Sequence, residues 1–148
     1  MEMETLIAHV RDFRGVLIFQ PAPGSEFPEI SWGDSYFYYA PDGVMPTRTQ
    51  PYGTIITKNY PDDTASDLDH PGKYRVNINV GRDRVTALSA IDDPARLDVF
   101  VPHPLYASSG WVSVVNPDDT AEQVVALLRE AHDAARQRAA RRAATENT

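Results

Sequence analysis

From Lys73 to Val80 the chain alternates without a break. Tyr74, Val76, Ile78 and Val80 fall on one side, and Lys73, Arg75, Asn77 and Asn79 on the other. A period of two predicts a half-buried strand with one apolar and one polar face. Other stretches change period. Leu6, Ile7, Val10 and Phe13 recur at helical spacing, so residues 3–13 read as an amphipathic helix that Gly15 ends. Val16 to Phe19 is a short continuous apolar run, the pattern of a buried strand. Pro21, Pro23, Gly24 and Pro28 make a loop. Residues 29–39 read as an aromatic strand, with turn chemistry after it at Pro41-Asp42-Gly43.

Gly53 to Lys58 is the next strand, followed by a long loop over 59–72 rich in Asp, Pro, Ser and Thr. Val85 and Leu88 suit a short helix over 82–90, which Asp92-Asp93-Pro94 breaks. Trp111 to Val115 is another strand. Thr120 with Gln123 has the spacing of a capping box. Val124, Leu128, Ala131 and Ala135 then form the stripe of a C-terminal helix within 118–142. Consecutive strands joined by turns imply antiparallel pairing with the helices gathered on one face. The expected fold is α+β, a two-layer sandwich. With no repeat and no linker, residues 1–148 are expected to form a single domain.

Composition narrows the chemistry. The 148 residues contain no cysteine. That removes disulfides, thiolate nucleophiles and zinc–cysteine or iron–sulfur sites. Net charge is −7, unevenly spread: residues 1–128 hold nine basic and eighteen acidic side chains, residues 129–148 five arginines and three acids. An acidic body argues against nucleic acid as a partner. Glu2, Glu4 and Asp12 stand where a signal peptide needs basic and apolar residues, and no apolar run reaches membrane-spanning length. The expected setting is cytoplasmic, with no membrane partner.

Two segments hold the candidate chemistry. His103 is held between Pro102 and Pro104, on backbone that proline stiffens. Such placement suits a general base or ligand group, or a loop histidine that caps a carbonyl. Asp34, between Gly33 and Ser35, reads as a strand carboxylate that serves as acid or base, or that bonds backbone amides at a bend. Arg75, Asn77 and Asn79 share a strand face. With Tyr36, Tyr38 and Trp111 they either line a ligand pocket or form a solvated sheet face. Asp67, Asp69 and Gly72 match three positions of a calcium loop, but Pro71 and Ile78 stand where ligands are needed, so no metal is expected. There is no Walker loop, no G-x-G-x-x-G, no H-E-x-x-H and no nucleophile elbow, and no cofactor is expected. His9 reads as structural, His132 as solvent-exposed, and both tryptophans as core. The arginines at 129, 136, 138, 141 and 142 suit a solvated helix or docking on a second, acidic copy in a homodimer.

Several of these residues carry a resemblance. Trp32-Gly33-Asp34 with Phe37-Tyr38-Tyr39, Pro51-Tyr52 with Thr54-Ile55 and Thr57-Lys58, Tyr74-Arg75 with Asn77, and the segment from Pro102-His103-Pro104 and Tyr106 to Trp111-Val112 resemble an actinobacterial family, the domain-of-unknown-function 6194 family. The likeness runs over almost the whole length and implies no activity. The element order is also similar to that of MmcQ/YjbR-like proteins, a likeness in topology and in the late Trp-strand-helix segment. Two functions follow as expectations. One is a small-molecule-binding or interaction module. The other is a tailoring enzyme (hydrolase, cyclase or isomerase) with His103 and Asp34 as an acid–base pair and Arg75 and Asn77 orienting the substrate.

Overall fold

The computed structural model describes residues 1–146. Helix α1 (Met3–Arg11) leads into β1 (Val16–Phe19), β2 (Ser35–Tyr39), β3 (Gly53–Ile56) and β4 (Arg75–Asn79). Then come α2 (Arg82–Leu88), β5 (Val101–Pro102), β6 (Trp111–Val115) and α3 (Ala121–Glu146). The strands form one antiparallel sheet in the order β1-β2-β3-β4-β6-β5. This is the expected α+β fold, with an open sheet as in a sandwich. No helix among the described residues is long and apolar enough to cross a membrane.

Strand alternation gives the sheet two unlike faces. On the first, Phe37, Ile55, Val76, Ile78, Val112 and Val114 are buried. Leu6, Ile7 and Val10 from α1 and Val124, Leu127, Leu128, Ala131 and Ala135 from α3 belong to the same core. Burying each of the larger of these side chains contributes about 1.5–3 kcal/mol. The helix lies close to the sheet here. A Cβ at Gly53 would stand 2.7 Å from Leu128 Cδ2 and 3.2 Å from Phe37 Cδ2, so any larger residue would force the Leu128 side chain to shift.

On the second face the register aligns Tyr36, Thr54, Asn77 and Ser113 across four strands. This row is tied by hydrogen bonds. Asn77 Nδ2 donates to Thr54 Oγ1 (2.9 Å), and Ser113 Oγ donates to Asn77 Oδ1 (2.8 Å). The loop after β3 lies over it, with Ser66 and Leu68 buried. That loop has almost no ladder of its own. Asn59 instead accepts from the Leu68 amide through Oδ1 and donates its own amide to Asp69, both at 2.8 Å.

Several expectations are corrected. Residues 29–34 do not join the strand: Glu29–Ser31 form a 3₁₀ turn and Gly33 takes φ of 89°, which an extended strand excludes. Asp34 therefore precedes β2 rather than lying in it. The strand at 75–79 is not half-solvated, since Arg75 and Asn77 are as buried as Val76 and Ile78. Thr120 does not close a capping box. The Asp98 carboxylate, reaching over from the loop before β5, accepts from the amides of Asp118, Asp119 and Thr120 and from the Thr120 hydroxyl. Burial raises the Asp98 pKa, but these four donors outweigh it and hold the group at about 2. His9 is exposed on α1. His132 is buried, because it lies four residues beyond Leu128 on the inward stripe of α3. Neither tryptophan belongs to the core: both are half-buried, and Trp32 Nε1 donates to the Phe27 carbonyl (2.9 Å).

Candidate functional site

Arg75 sits at the centre of the second face and is 1% exposed. A buried guanidinium needs a partner for its charge and acceptors for its five N–H groups. Nε donates to Asn77 Oδ1 (2.8 Å), and Nη1 to Asp63 Oδ1 (3.0 Å) and Ser66 Oγ (2.9 Å). Nη2 donates to Asp63 Oδ2, completing a two-pronged pair. The loop over 59–72 thus brings Asp63 and Ser66 to Arg75. Burial pushes the Asp63 carboxyl up, but the hydrogen bond and charge of Arg75 prevail and hold it below the usual range. The last N–H of Nη2 faces His103 Nε2 at 3.4 Å.

His103 is 5% exposed, and its place follows from the short strand before it. Pro102 pairs with Val112, and the His103 amide donates to the Trp111 carbonyl (3.1 Å). The chain then turns through a 3₁₀ segment at Ala107–Ser109, which brings the amides of Leu105 and Tyr106 onto His103 Nδ1 at 3.0 and 3.1 Å. Nδ1 is therefore an acceptor, and the neutral ring carries its proton on Nε2. Burial, with the Arg75 charge second, lowers the His103 pKa to about 4; Asp63 opposes this. The ring is neutral near pH 7.

Between these groups and β2 lies a cavity of about 460 Å³. Arg75, Asn77, Thr54 and His103 contribute polar groups, and Tyr36, Tyr60, Tyr106 and Trp111 contribute aromatic surface. Four of the expected ligand-binding residues, Tyr36, Arg75, Asn77 and Trp111, line it together with His103. Tyr38 does not: it pairs with Leu17 further along β2.

Asp34 does not line the cavity either. It is fully buried and accepts from four donors: the Thr57 amide (2.9 Å), Thr57 Oγ1 (2.8 Å), Lys58 Nζ (2.9 Å) and the Tyr60 hydroxyl. Its connection to the cavity runs through Tyr60. The Tyr60 hydroxyl donates to Asp34 Oδ2 and is also hydrogen-bonded to the Tyr36 hydroxyl. Burial first, then the bond to Asp34, raises the Tyr60 pKa. The arrangement is a line of three hydroxyl and carboxylate groups that ends at Tyr36 on the cavity wall.

Sequence reasoning missed Tyr60, Asp63 and Ser66. One signal was available: an arginine in the middle of a strand calls for a carboxylate, and the acidic loop just before it supplies one. In that loop the calcium-like acids are engaged locally. Asp67 Oδ1 meets His70 Nε2 at 2.9 Å, and Asp69 takes the Asn59 amide.

No curated protein and no solved structure matches the chain. A family model matches residues 1–144, and the chain belongs to that family, DUF6194, a family of unknown function.

Proposed function

We propose that this protein is a small-molecule-binding module whose ligand occupies the cavity over β2, β3 and β4. The observation that carries this reading is the combination of aromatic walls with a few fixed polar groups in one concavity. The polar groups are preorganised. Arg75, Asn77, Thr54 and Ser113 hold one another in a single hydrogen-bonded set, so a ligand meets them without reordering. Nucleic acid is not the partner in this reading, because a net charge of −7 repels phosphates. The MmcQ/YjbR likeness contributes no ligand to it.

A second reading, a tailoring enzyme, is favoured by the line from Asp34 through Tyr60 to Tyr36. There the acid–base pair of Asp34 and His103 is not direct. Asp34 acts as a positioning residue for Tyr60 and Tyr36, and His103 acts as a donor through Nε2 rather than as a base.

The binding reading is tested by thermal-shift screening of a metabolite library, with Ser109→Trp as a variant that fills the cavity. A true ligand at a hundred times its Kd raises the melting temperature by about 5–10 °C in a domain of this size. The reading fails if no compound shifts the wild type, or if the filled variant responds equally. Turnover of a hit that survives in Tyr60→Phe would remove the enzyme reading in this form.

A further inference from the structure

We infer that the cavity seats a neutral ligand by one carbonyl-type oxygen lodged between Arg75 Nη2 and His103 Nε2, and that it discriminates against carboxylates and phosphates. The inference rests on the binding reading and names the class of ligand.

Arg75 has five N–H groups, and four have acceptors in Asn77, Asp63 and Ser66. The fifth points at His103 Nε2. For that contact to be a hydrogen bond, Nε2 would have to be bare and Nδ1 protonated. Nδ1 already faces two amide N–H groups at 3.0 and 3.1 Å, against a single contact of 3.4 Å at Nε2. Two short bonds outweigh one long one, so the proton is on Nε2. Two N–H donors then face each other in a buried place with no acceptor between them. An unmet buried donor is costly, and an oxygen that accepts from both removes the cost twice. The cavity opens at this point, since both residues line it.

Charge decides which oxygen. The Arg75 charge is matched by Asp63. His103 is neutral. Lys58, two residues before Tyr60 in the chain, is engaged by Asp34 and the Trp32 carbonyl. Asp62 also lines the cavity. Among the described lining residues, the acids outnumber the cations. An anion would enter against that balance, while a ketone, amide or lactam carbonyl meets the two donors with no charge to neutralise. Tyr106 and Trp111 offer flat surface to a planar group.

Benzamide, benzoate and benzamidine share one planar shape and differ in charge. They are titrated into ¹⁵N-labelled wild-type protein and into His103→Asn, and the amide signals of residues 103–111 are followed. Asn keeps an oxygen near the place of Nδ1 to accept the Leu105 and Tyr106 amides, and lacks the Nε2 donor. Benzamide is expected to shift these signals, with benzoate weaker by roughly tenfold or more. His103→Asn is expected to weaken benzamide by roughly tenfold, the loss of one hydrogen bond. Long-range ¹H–¹⁵N spectra of the free protein are expected to show the proton on Nε2. Benzoate or benzamidine binding as tightly as benzamide would overturn the inference and leave the cavity as a binding site. A proton on Nδ1 would overturn it too. Silence of residues 103–111 towards all three probes would overturn the inference, while the library screen with Ser109→Trp decides the binding reading by itself.

Discussion

His132 and His103 are both buried and both depressed in pKa, yet they serve the two faces of the sheet differently. His132, on α3, stands at the apolar face among Phe13, Tyr39 and Tyr52. Its Nε2 lies 2.8 Å from the Arg14 carbonyl, which can only accept, so Nε2 carries the proton. Nδ1 then accepts from the Tyr52 hydroxyl (3.0 Å). Each nitrogen has its partner within the fold. His103 has two donors on Nδ1 and a proton on Nε2 that meets another donor. Burial alone does not separate a structural histidine from a functional one. What separates them is whether the hydrogen count closes.

The largest expected break in the comparison comes from the polar face. Arg75→Met leaves Asp63 partly buried without its cation and leaves Asn77 and Ser66 short of a donor. Removing one partner of a buried pair costs about 3–5 kcal/mol. Urea unfolding of this variant should show a loss of that size. A loss under about 1 kcal/mol would mean that the polar face is a solvated surface and contributes no second core.

Acid comes next. The unfolded chain binds a proton at His103 near its ordinary pKa of 6.5, while the folded chain resists until about 4. Between those values the unfolded state holds more protons, so stability falls as pH falls through the window and is complete above it. The His103 part amounts to at most about 3 kcal/mol. His132 is displaced in the same direction, burial being the main cause. His103, with the Arg75 charge against it and only partly offset by Asp63, should dominate. In urea melts at pH 7 and pH 4.5, His103→Asn should lose less stability between the two than the wild type does. Equal losses would place the acid sensitivity elsewhere.

The apolar face was legible in the sequence because its signals are local. The spacing of Leu6, Ile7 and Val10 defined α1, and the runs at 16–19 and 111–115 are β1 and β6 as expected. His132 was misread as solvent-exposed from its neighbours Ala131 and Asp133, although its helical spacing from Leu128 and Ala135 places it on the inward stripe. The second face was not legible to the same depth. Alternation marks Arg75 and Asn77 as one face, but their burial depends on Asp63 and Ser66, brought over by a loop with no periodic signal. Asp34 shows the same limit. Its four donors lie more than twenty residues away, at Thr57, Lys58 and Tyr60. Hydrogen-bond closure is a property of contacts far apart in sequence, and composition or periodicity does not carry it.

Substituting the two histidines sharpens the contrast. His132→Phe keeps an aromatic ring but leaves the Arg14 carbonyl and the Tyr52 hydroxyl without partners. Each stranded buried group costs about 1–3 kcal/mol, so for the two groups a loss of at least about 2 kcal/mol in urea melts is expected, with no change in any ligand response at residues 103–111. A loss under about 0.5 kcal/mol would show that water reaches both groups, and His132 would no longer serve as the closed example.

His103→Asn is expected to have the smallest effect on stability at pH 7. The ring edge it removes faces a cavity, so no sealed void is left behind, and the asparagine oxygen still accepts from the turn at Leu105 and Tyr106. The cost should stay below about 1 kcal/mol. The substitution also ends the meeting of two donors, because Arg75 Nη2 no longer faces an N–H. If that meeting is unrelieved in the free protein, the variant could be as stable as the wild type or more so, while binding an oxygen ligand less well. Opposite signs for stability and binding are the mark of a group held ready for a ligand. A loss equal to that of His132→Phe would instead make His103 a second structural histidine, and the difference between the two faces would reduce to their polarity.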